Sequence, residues 1–364
     1  MYIRIIILTL IIFTSCKNYI PAEINNTLTL YDKNFIKDTV VINKKGTLII
    51  GPKTKLIIKK NSTIINNGGT ILINGIENDT VYIKSNKIFN IKLINNAKVD
   101  LKYSKLKNVQ FNIDNSDITI INSLLKSKGY LFKINNSKLS INNSYISGNN
   151  SNYLGYINNS NLLLNNSILE NFENGFFLDN YKNKTNINNC FFKNFNSDIL
   201  SIDNSFNIFI SNCLFFKNNS IFKINSKKKL VIKLINNLFI NNNIIINNYS
   251  DLKLFLINNT LHKNELIIKD FSELGKFNSK NNIFYLNEKL FELNKKSYIN
   301  NSFCISNTDS LVGYYNINSD PLFVNVNGFN YQLNLNSPAI GSANNNTNIG
   351  ANINNINSII YLSK

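Results

Sequence analysis

Apolar residues occupy alternate positions in short runs along most of this chain, and each run ends in asparagine. Leu139 and Ile141 alternate in the stretch LSINNSYI, and the same pattern returns as LLLNNSIL, TNINNCFF and IFISNCLF. Alternation with a period of two is typical of strands with one buried face, and helical periodicity is missing. The pattern therefore predicts a chain built from many short β-strands.

The asparagine that ends these runs recurs at a nearly constant interval. Successive spacings are 21, 23, 23, 23, 24, 22 and 23 residues, at Asn122, Asn143, Asn166, Asn189, Asn212, Asn236, Asn258 and Asn281. A second polar turn follows another apolar run within each interval, as at Ile113 and Ile134. A fixed period in this range indicates a solenoid, and at least three short strands per interval predict one coil of a parallel β-helix, stacked at ~4.8 Å.

The repeated asparagine has a structural explanation. A sharp turn needs a residue that tolerates left-handed backbone angles, and asparagine does so better than any residue except glycine. Stacked amides can also hydrogen-bond from coil to coil. The eight asparagines are therefore predicted to form a structural ladder, and the small residues that follow them, such as Ser123 and Cys190, a second structural column.

Composition agrees with a folded protein. The chain has 364 residues, of which 43% are hydrophobic, and this is enough to bury a substantial core. It contains 78 asparagines and a single arginine, Arg4. Enrichment in Asn, Ile and Lys is what an AT-rich genome would produce, so the net charge of +18 is only in part a functional signal.

The N-terminus carries an export signal. MYIRIIILTLIIFTSC has one basic residue, an apolar run from Ile5 to Phe13, and small residues before Cys16. This run is too short to span a bilayer, which takes ~20 residues, so it predicts a signal peptide rather than an anchor helix. The end of the segment, FTSC, resembles a bacterial lipobox, with Ser15 before the cysteine and Phe13 where leucine is usual.

The lipobox resemblance implies cleavage before Cys16 and lipidation of its thiol. The alternative is an ordinary signal peptide with a chance cysteine. Loss of Arg4 would leave a mature charge of 18 − 1 = +17. Several acyl chains on one residue anchor better than a single chain, and Lys17 resembles an outer-membrane sorting context. The protein is therefore expected in a bacterial envelope, held to the outer membrane by lipid on Cys16, on its periplasmic side or at the cell surface.

Both ends of the repeat region resemble known β-helix proteins. GTLIIGPKTKLIIKKNSTIINNGGTILINGIENDTVYIKS, Gly46 to Ser85, is similar to the first coils of right-handed parallel β-helix proteins of the pectate-lyase-like superfamily. SDPLFVNVNGFNYQLNLNSPAIGSA, from Ser319, followed by NIGA, resembles the closing element of secreted β-helix proteins of Bacteroidota, including those with a variable C-terminal anchor. Gly341 stands where that family has aspartate, and the acidic residue that often follows the final Gly-Ala is missing.

Together these observations predict an all-β, right-handed parallel β-helix of about eleven coils of ~23 residues, with Asn-ladder turns. The predicted divisions are a lipoprotein signal peptide at 1–15, an N-terminal tether and cap at 16–40, the β-helix at 41–290, and the final coils with a C-terminal cap at 291–364. The cap is expected over the last coil, because an uncovered coil is an open sheet edge.

Enzymes of this superfamily, as the resemblance implies, are polysaccharide lyases and hydrolases with clustered aspartates and a basic residue on one outer face. Asp179 and Asp203 share the second turn column and are predicted to lie one coil apart, where two carboxylates could bind Ca²⁺ or share a proton. The alternative is that both are turn formers, because Asn135 and Asn158 occupy the same column. They are weak catalytic candidates. No metal or cofactor is expected, and Ca²⁺ is considered only for a lyase.

The histidine and the cysteines limit other chemistry. His262 is the only histidine, so neither a histidine metal cluster nor a Ser-His-Asp triad is available, and its column predicts an exposed position. Cys190 and Cys213 are predicted ~5 Å apart, within disulfide range. Side chains stacked in parallel point alongside one another, which favours two buried thiols over a bridge. Cys304 has no predicted partner.

The basic charge is spread along the chain, and the only dense run is Lys227 to Lys229. Proteins that bind nucleic acid concentrate arginine with aromatic residues, so no nucleic-acid partner is expected. A rod of charge +17 could instead attract acidic polysaccharide or anionic lipid headgroups.

Three functions follow as hypotheses. The first is a non-enzymatic envelope lipoprotein whose rod serves for structural display or binds glycans or protein partners. It rests on the lipobox, the coil period and the missing catalytic cluster. The second is a polysaccharide lyase, glycoside hydrolase or epimerase acting on an acidic polysaccharide. The third is a scaffold within an envelope complex.

Overall fold

Parallel stacking of short strands accounts for nearly all of the secondary structure. A computed structural model describes residues 18–149, 153–308, 311–354 and 356, without the side chains of 181, 182, 205 and 206. Its strands form a right-handed parallel β-helix of about 12 turns. This confirms the predicted fold class. Each turn adds one strand to each of three faces, named A, B and C in the order in which the chain passes through them from Thr27–Leu30 onward.

The strands of each face stack in register from one coil to the next. Face A contains Thr27–Leu30, Thr47–Ile50, Thr70–Asn74, Lys98–Lys102, Asp117–Ile121, Lys138–Asn142, Asn161–Asn165, Leu230–Ile235, Leu252–Ile257, Lys276–Lys280, Tyr298–Ser302 and Gly313–Tyr314. Face B contains Asn18–Tyr19, Lys33–Ile36, Lys55–Ile58, Leu124–Lys126, Tyr145–Ser147, Ile168–Phe172, Phe191–Phe195, Leu214–Phe216, Leu238–Ile240, Thr260–His262, Ile283–Tyr285, Ile305–Ser306 and Ile317–Asn318. Face C contains Glu23–Ile24, Val40–Ile42, Thr63–Asn67, Phe132–Asn135, Tyr153–Asn158, Ser220–Ile224, Ile244–Asn248, Leu266–Asp270 and Lys289–Glu292.

Four long strands pass from one face to the next without a break. Val81–Ile94 and Ser104–Asp114 continue from face B to face C, and Asn174–Asn188 and Asp198–Ser211 continue from face C to face A. The parallel ladder runs from Asn18–Tyr19 to Ile317–Asn318, which is a longer range than 41–290.

Inward columns of apolar side chains fill the space between the three faces. The rings of Phe192, Phe215 and Phe239 stack from coil to coil, with centroids 5.1 and 4.8 Å apart. Because alternate residues of every strand point inward, one buried cluster extends along the helix from Ile20 to Cys304. The alternation of apolar and polar residues in the sequence therefore follows from the packing of this core.

The turn from face A to face B carries the asparagine ladder. All eight asparagines have φ between 46° and 57°, the left-handed region. Their amides also connect coils, as where Asn236 Nδ2 donates to Asn212 Oδ1 at 2.6 Å. The turn from face C to face A uses the same device at Asn115, Asn136 and Asn159.

Alanine at Asn166 is expected to lower the free energy of unfolding by about 1 kcal/mol, because a Cβ without a polar side chain is disfavoured at φ 47°. Glycine at Asn166 is expected to cost less than alanine, since glycine adopts this backbone without strain. Urea unfolding of both variants, with Asn165→Ala as the control in regular strand, measures the difference. An equal loss for Asn166→Gly and Asn166→Ala would contradict it.

The small residues after the ladder asparagines form a buried column that continues to Cys304. Most of these side chains accept a hydrogen bond from the backbone N–H one coil earlier, as from Ser104 to Ser123 Oγ at 3.2 Å and from Cys213 to Asn237 Oδ1 at 2.9 Å. Cys190, Cys213 and Cys304 are buried free thiols, and Cys190 N–H donates to Cys213 Sγ at 3.4 Å. Of the two alternatives for Cys190 and Cys213, the unbridged one holds.

The C-terminal strap, defined here as residues 320–354 with Ile356, packs along face B, as far as Ile317 in the last coil. It contains an antiparallel pair of strands, Phe323–Asn325 and Asn330–Leu333, joined by the 3₁₀ turn Val326–Gly328. The strap lies here because the outward residues of this part of face B are apolar and pack against it. These residues are Ile168, Phe191, Leu214, Leu238 and Ile240.

Candidate functional site

The structure describes the aspartate pair but not the predicted lipidation site. Cys16 lies outside the residues that the structure describes. Asp179 pairs with Asn204 and not with Asp203, so the expectation that the two aspartates stack is wrong. A register shift after Leu178 makes Asp203 the extra residue of that coil, and Asn204 Nδ2 donates to Asp179 Oδ1 at 3.0 Å. Asp179 therefore continues the polar turn ladder.

His262 is buried, and the prediction of an exposed histidine is wrong. It points outward from face B, as its column requires, but the C-terminal strap covers it and leaves it 3% exposed. Its Nδ1 lies 2.6 Å from the Tyr331 hydroxyl, and its ring stacks on Tyr285 at 5.2 Å. Burial, with a smaller contribution from the charge of Lys263, lowers the pKa of His262 from 6.5 to about 4.

An open groove of about 690 Å³ crosses face C in the first half of the rod and is called the face C groove. Its floor is an outward column in which Lys92 pairs with Asn112, Asn112 with Lys133, and Lys133 with Tyr156. Tyr130, from the connection between faces B and C, forms one wall. At ~4.8 Å per coil, the column is ~14 Å long from Lys92 to Tyr156.

Hydrogen bonds hold the polar groups of the face C groove in place. The Tyr130 hydroxyl donates to Asn112 Oδ1 at 3.0 Å, and Asn112 Nδ2 donates to Asn90 Oδ1 at 3.1 Å. Along the edge of the groove, Asn135 Nδ2 donates to Asp114 Oδ1 at 2.6 Å. Lys92 and Lys133 are exposed, and the other two residues of their column, Asn112 and Tyr156, carry no negative charge. The groove therefore presents two cations to solvent.

Aromatic rings extend the floor of the groove. Tyr156 is 38% exposed, and its ring centroid lies 5.5 Å from that of Tyr153 and 6.0 Å from that of Phe177. Burial, with a smaller effect of Tyr153, raises the pKa of Tyr156, so its hydroxyl remains protonated at neutral pH. Exposed tyrosine faces are suited to contact with a ligand that has an apolar face and polar edges.

Sequence analysis missed the groove residues, although a signal for them exists. Asn112, Lys133 and Tyr156 each stand immediately before the isoleucine of the second turn column, which is the outward position. Tyr130 has no such signal, because it lies in the connection between two strands, outside the alternating pattern. Within the described part of the chain, no group of three or more His, Cys, Asp or Glu side chains could hold a metal ion. Nor does that part contain a helix of the length and apolarity that crossing a membrane requires.

Comparison with known proteins gives distant matches. No family model matches this chain, and no curated protein matches it. Solved structures that match include the periplasmic alginate epimerase AlgG, at 12% identity and a TM-score of 0.36, over 78% of this chain and 76% of that chain. A double mutant of AlgG matches at 12% identity and a TM-score of 0.34, over 80% and 83% of the two chains.

Proposed function

We propose that this protein binds an extended acidic polysaccharide along the face C groove. The observation that carries the proposal is the column of Lys92, Asn112, Lys133 and Tyr156, which offers cationic, amide and aromatic groups on consecutive coils. Coils repeat at ~4.8 Å, about the length of one sugar residue in an extended chain. A linear polysaccharide lying along the rod would therefore meet one side chain of the column per sugar.

The charged and aromatic groups of the groove each have a role in this proposal. Lys92 and Lys133 are two coils apart, so they would pair with the carboxylates of alternate sugars. The exposed ring of Tyr156 would pack against a pyranose face. Asp114, at the edge, would accept a hydrogen bond from a sugar hydroxyl. The protein would do this as a non-catalytic rod in the bacterial envelope, anchored by lipid on Cys16.

A polysaccharide lyase or epimerase is the second candidate, because Tyr130, Lys133 and Asp114 line the same groove. Proton abstraction beside a uronic carboxylate needs a base and a cation that stabilises the developing charge. A glycoside hydrolase is less well supported. Asp114 and Asp179 are separated by three coil steps, ~14 Å, whereas the two carboxylates of glycosidases stand ~5–9.5 Å apart.

Lys133→Ala is expected to weaken binding of polygalacturonate or alginate about fivefold, since one charge contact of ~1 kcal/mol is lost. Lys223→Ala is the matched control, because Lys223 is an exposed lysine of the same outward column outside the groove. Titration calorimetry of both variants and the parent, with neutral dextran as a reference polymer, measures the effect. Equal affinities for Lys133→Ala and Lys223→Ala would remove the groove as the binding site.

Product analysis with the same polysaccharides distinguishes binding from turnover. A lyase would release unsaturated uronates, and an epimerase would change the sugar composition measured by NMR. Products that disappear in Tyr130→Phe would establish the second candidate. Retention of unchanged polymer, with binding lost in Lys133→Ala, is the result that the non-catalytic proposal requires.

A further inference from the structure

Face B is divided into two halves of different chemistry. Its second half is apolar and covered by the C-terminal strap. The strand segments between Lys33 and Lys126 form its exposed first half and have no acidic residue at an outward position. Their outward lysines, called the lysine half of face B, are Lys33, Lys55, Lys84, Lys105, Lys107 and Lys126.

A basic pocket of about 620 Å³ adjoins this surface at the corner between faces B and C. Asp38 is the only acidic residue in its lining, which contains five lysines: Lys37, Lys59, Lys60, Lys84 and Lys87. None of these lysines takes part in an ion pair with another described residue. Positive charges held this close repel one another, so an anion bound among them would be stabilised by several cations at once.

Aromatic residues lie among the lysines. Lys59 Nζ is 5.2 Å from the ring centroid of Tyr19, and Lys105 Nζ is 5.2 Å from that of Tyr82. A hydrogen bond with Thr80 and another with Lys105 lower the pKa of Tyr82. Tyr19 is 47% and Tyr82 is 42% exposed. A surface that combines lysines with exposed tyrosines has the composition of a protein face at a membrane interface.

The position of this surface along the chain points to the same partner. Asn18–Tyr19, the first strand, belongs to face B and pairs with Asn34 and Phe35. Only two residue steps separate Asn18 from Cys16, and they span at most ~7 Å. A lipid on Cys16 would therefore hold the membrane beside the lysine half of face B.

We propose that the lysine half of face B, with its corner pocket, docks on anionic lipid headgroups. The ligand chemistry is the phosphate of the headgroup, bound by several lysines. The rod then lies with the lysine half of face B against the membrane, and the face C groove is left open to solvent. This docking uses a different face from the polysaccharide site, so either proposal can fail while the other holds.

The test compares two triple variants of the mature chain, which carries Cys16→Ser so that it cannot be lipidated. The first is Lys84→Ala/Lys107→Ala/Lys126→Ala. The matched control removes the same charge from exposed lysines of faces A and C, as Lys184→Ala/Lys223→Ala/Lys276→Ala. Each is mixed with vesicles of phosphatidylglycerol and phosphatidylethanolamine, or of phosphatidylcholine alone, and the bound fraction is measured by sedimentation.

The parent and the control are expected to bind the anionic vesicles, and the face B variant to bind roughly 100-fold more weakly. Binding should disappear at high salt and be missing on phosphatidylcholine. An equal loss in both triple variants would overturn the proposal, since net charge alone would then explain it. Binding of inorganic phosphate without binding of anionic vesicles would also overturn it, because the pocket would then serve a free anion.

Discussion

Alanine in place of Tyr331 is expected to release the C-terminal strap from face B. Tyr331 is 2% exposed, reaches His262 through its hydroxyl, and packs its ring against Phe323 at 5.3 Å. Removing a buried aromatic side chain costs about 3–5 kcal/mol, which is a large share of what holds a short segment with little secondary structure of its own. The expected result is protease cleavage within 320–354 while the coils remain intact.

Release of the strap would also expose the apolar half of face B. Leu214 and Leu238 are buried against the strap, and each gains about 1.5–3 kcal/mol from full burial. The variant is therefore expected to bind the dye ANS and to aggregate on concentration. Leu335→Ala is the control, because Leu335 belongs to the strap but is 92% exposed. Equal protease resistance of Tyr331→Ala and Leu335→Ala would contradict this account of the strap.

The coil could be predicted from sequence because its determinants are local. A left-handed turn favours asparagine wherever it occurs, and inward strand positions favour apolar residues. The same residue types therefore recur at equivalent positions of each coil. Asn143 and Ile146 could thus be assigned to a turn and to the core without any long-range information. The internal column of Ser, Cys and Asn side chains follows the same logic, although Cys304 could be recognised as its member only in the structure.

The features that sequence analysis misjudged depend on distant contacts or on an irregular coil. His262 is buried only because a segment 69 residues away returns along face B. Asp203 is an extra residue after Ile202, which pairs with Leu178, so Asn204 occupies the place expected for Asp203. The groove arises where Tyr130 folds over an outward column, and the contact of Tyr130 with Asn112 joins residues 18 apart. Periodicity predicts the repeated part of each coil, but it carries no information on such departures.

Acidification from pH 7 to pH 5 is expected to loosen the strap through His262. Its pKa is about 4 in the folded protein against 6.5 for a free histidine. Between these two pH values, His262 is protonated in the unfolded chain and neutral in the folded chain. The contribution of His262 to the free energy of unfolding is therefore fully present above about pH 6.5. It falls as the pH drops toward 4, by up to about 3 kcal/mol. The cause is structural: the buried Nε2 has no hydrogen-bond partner among the described residues, so a protonated ring would leave a charged donor unpaired.

His262→Gln tests this expectation, because glutamine can bond the Tyr331 hydroxyl but does not titrate. The variant should be less stable than the parent at pH 7 and show a smaller loss between pH 7 and pH 5, measured by urea unfolding and by the rate of protease cleavage in the strap. Parallel curves for the parent and His262→Gln would show that the acid sensitivity of the strap comes from other groups.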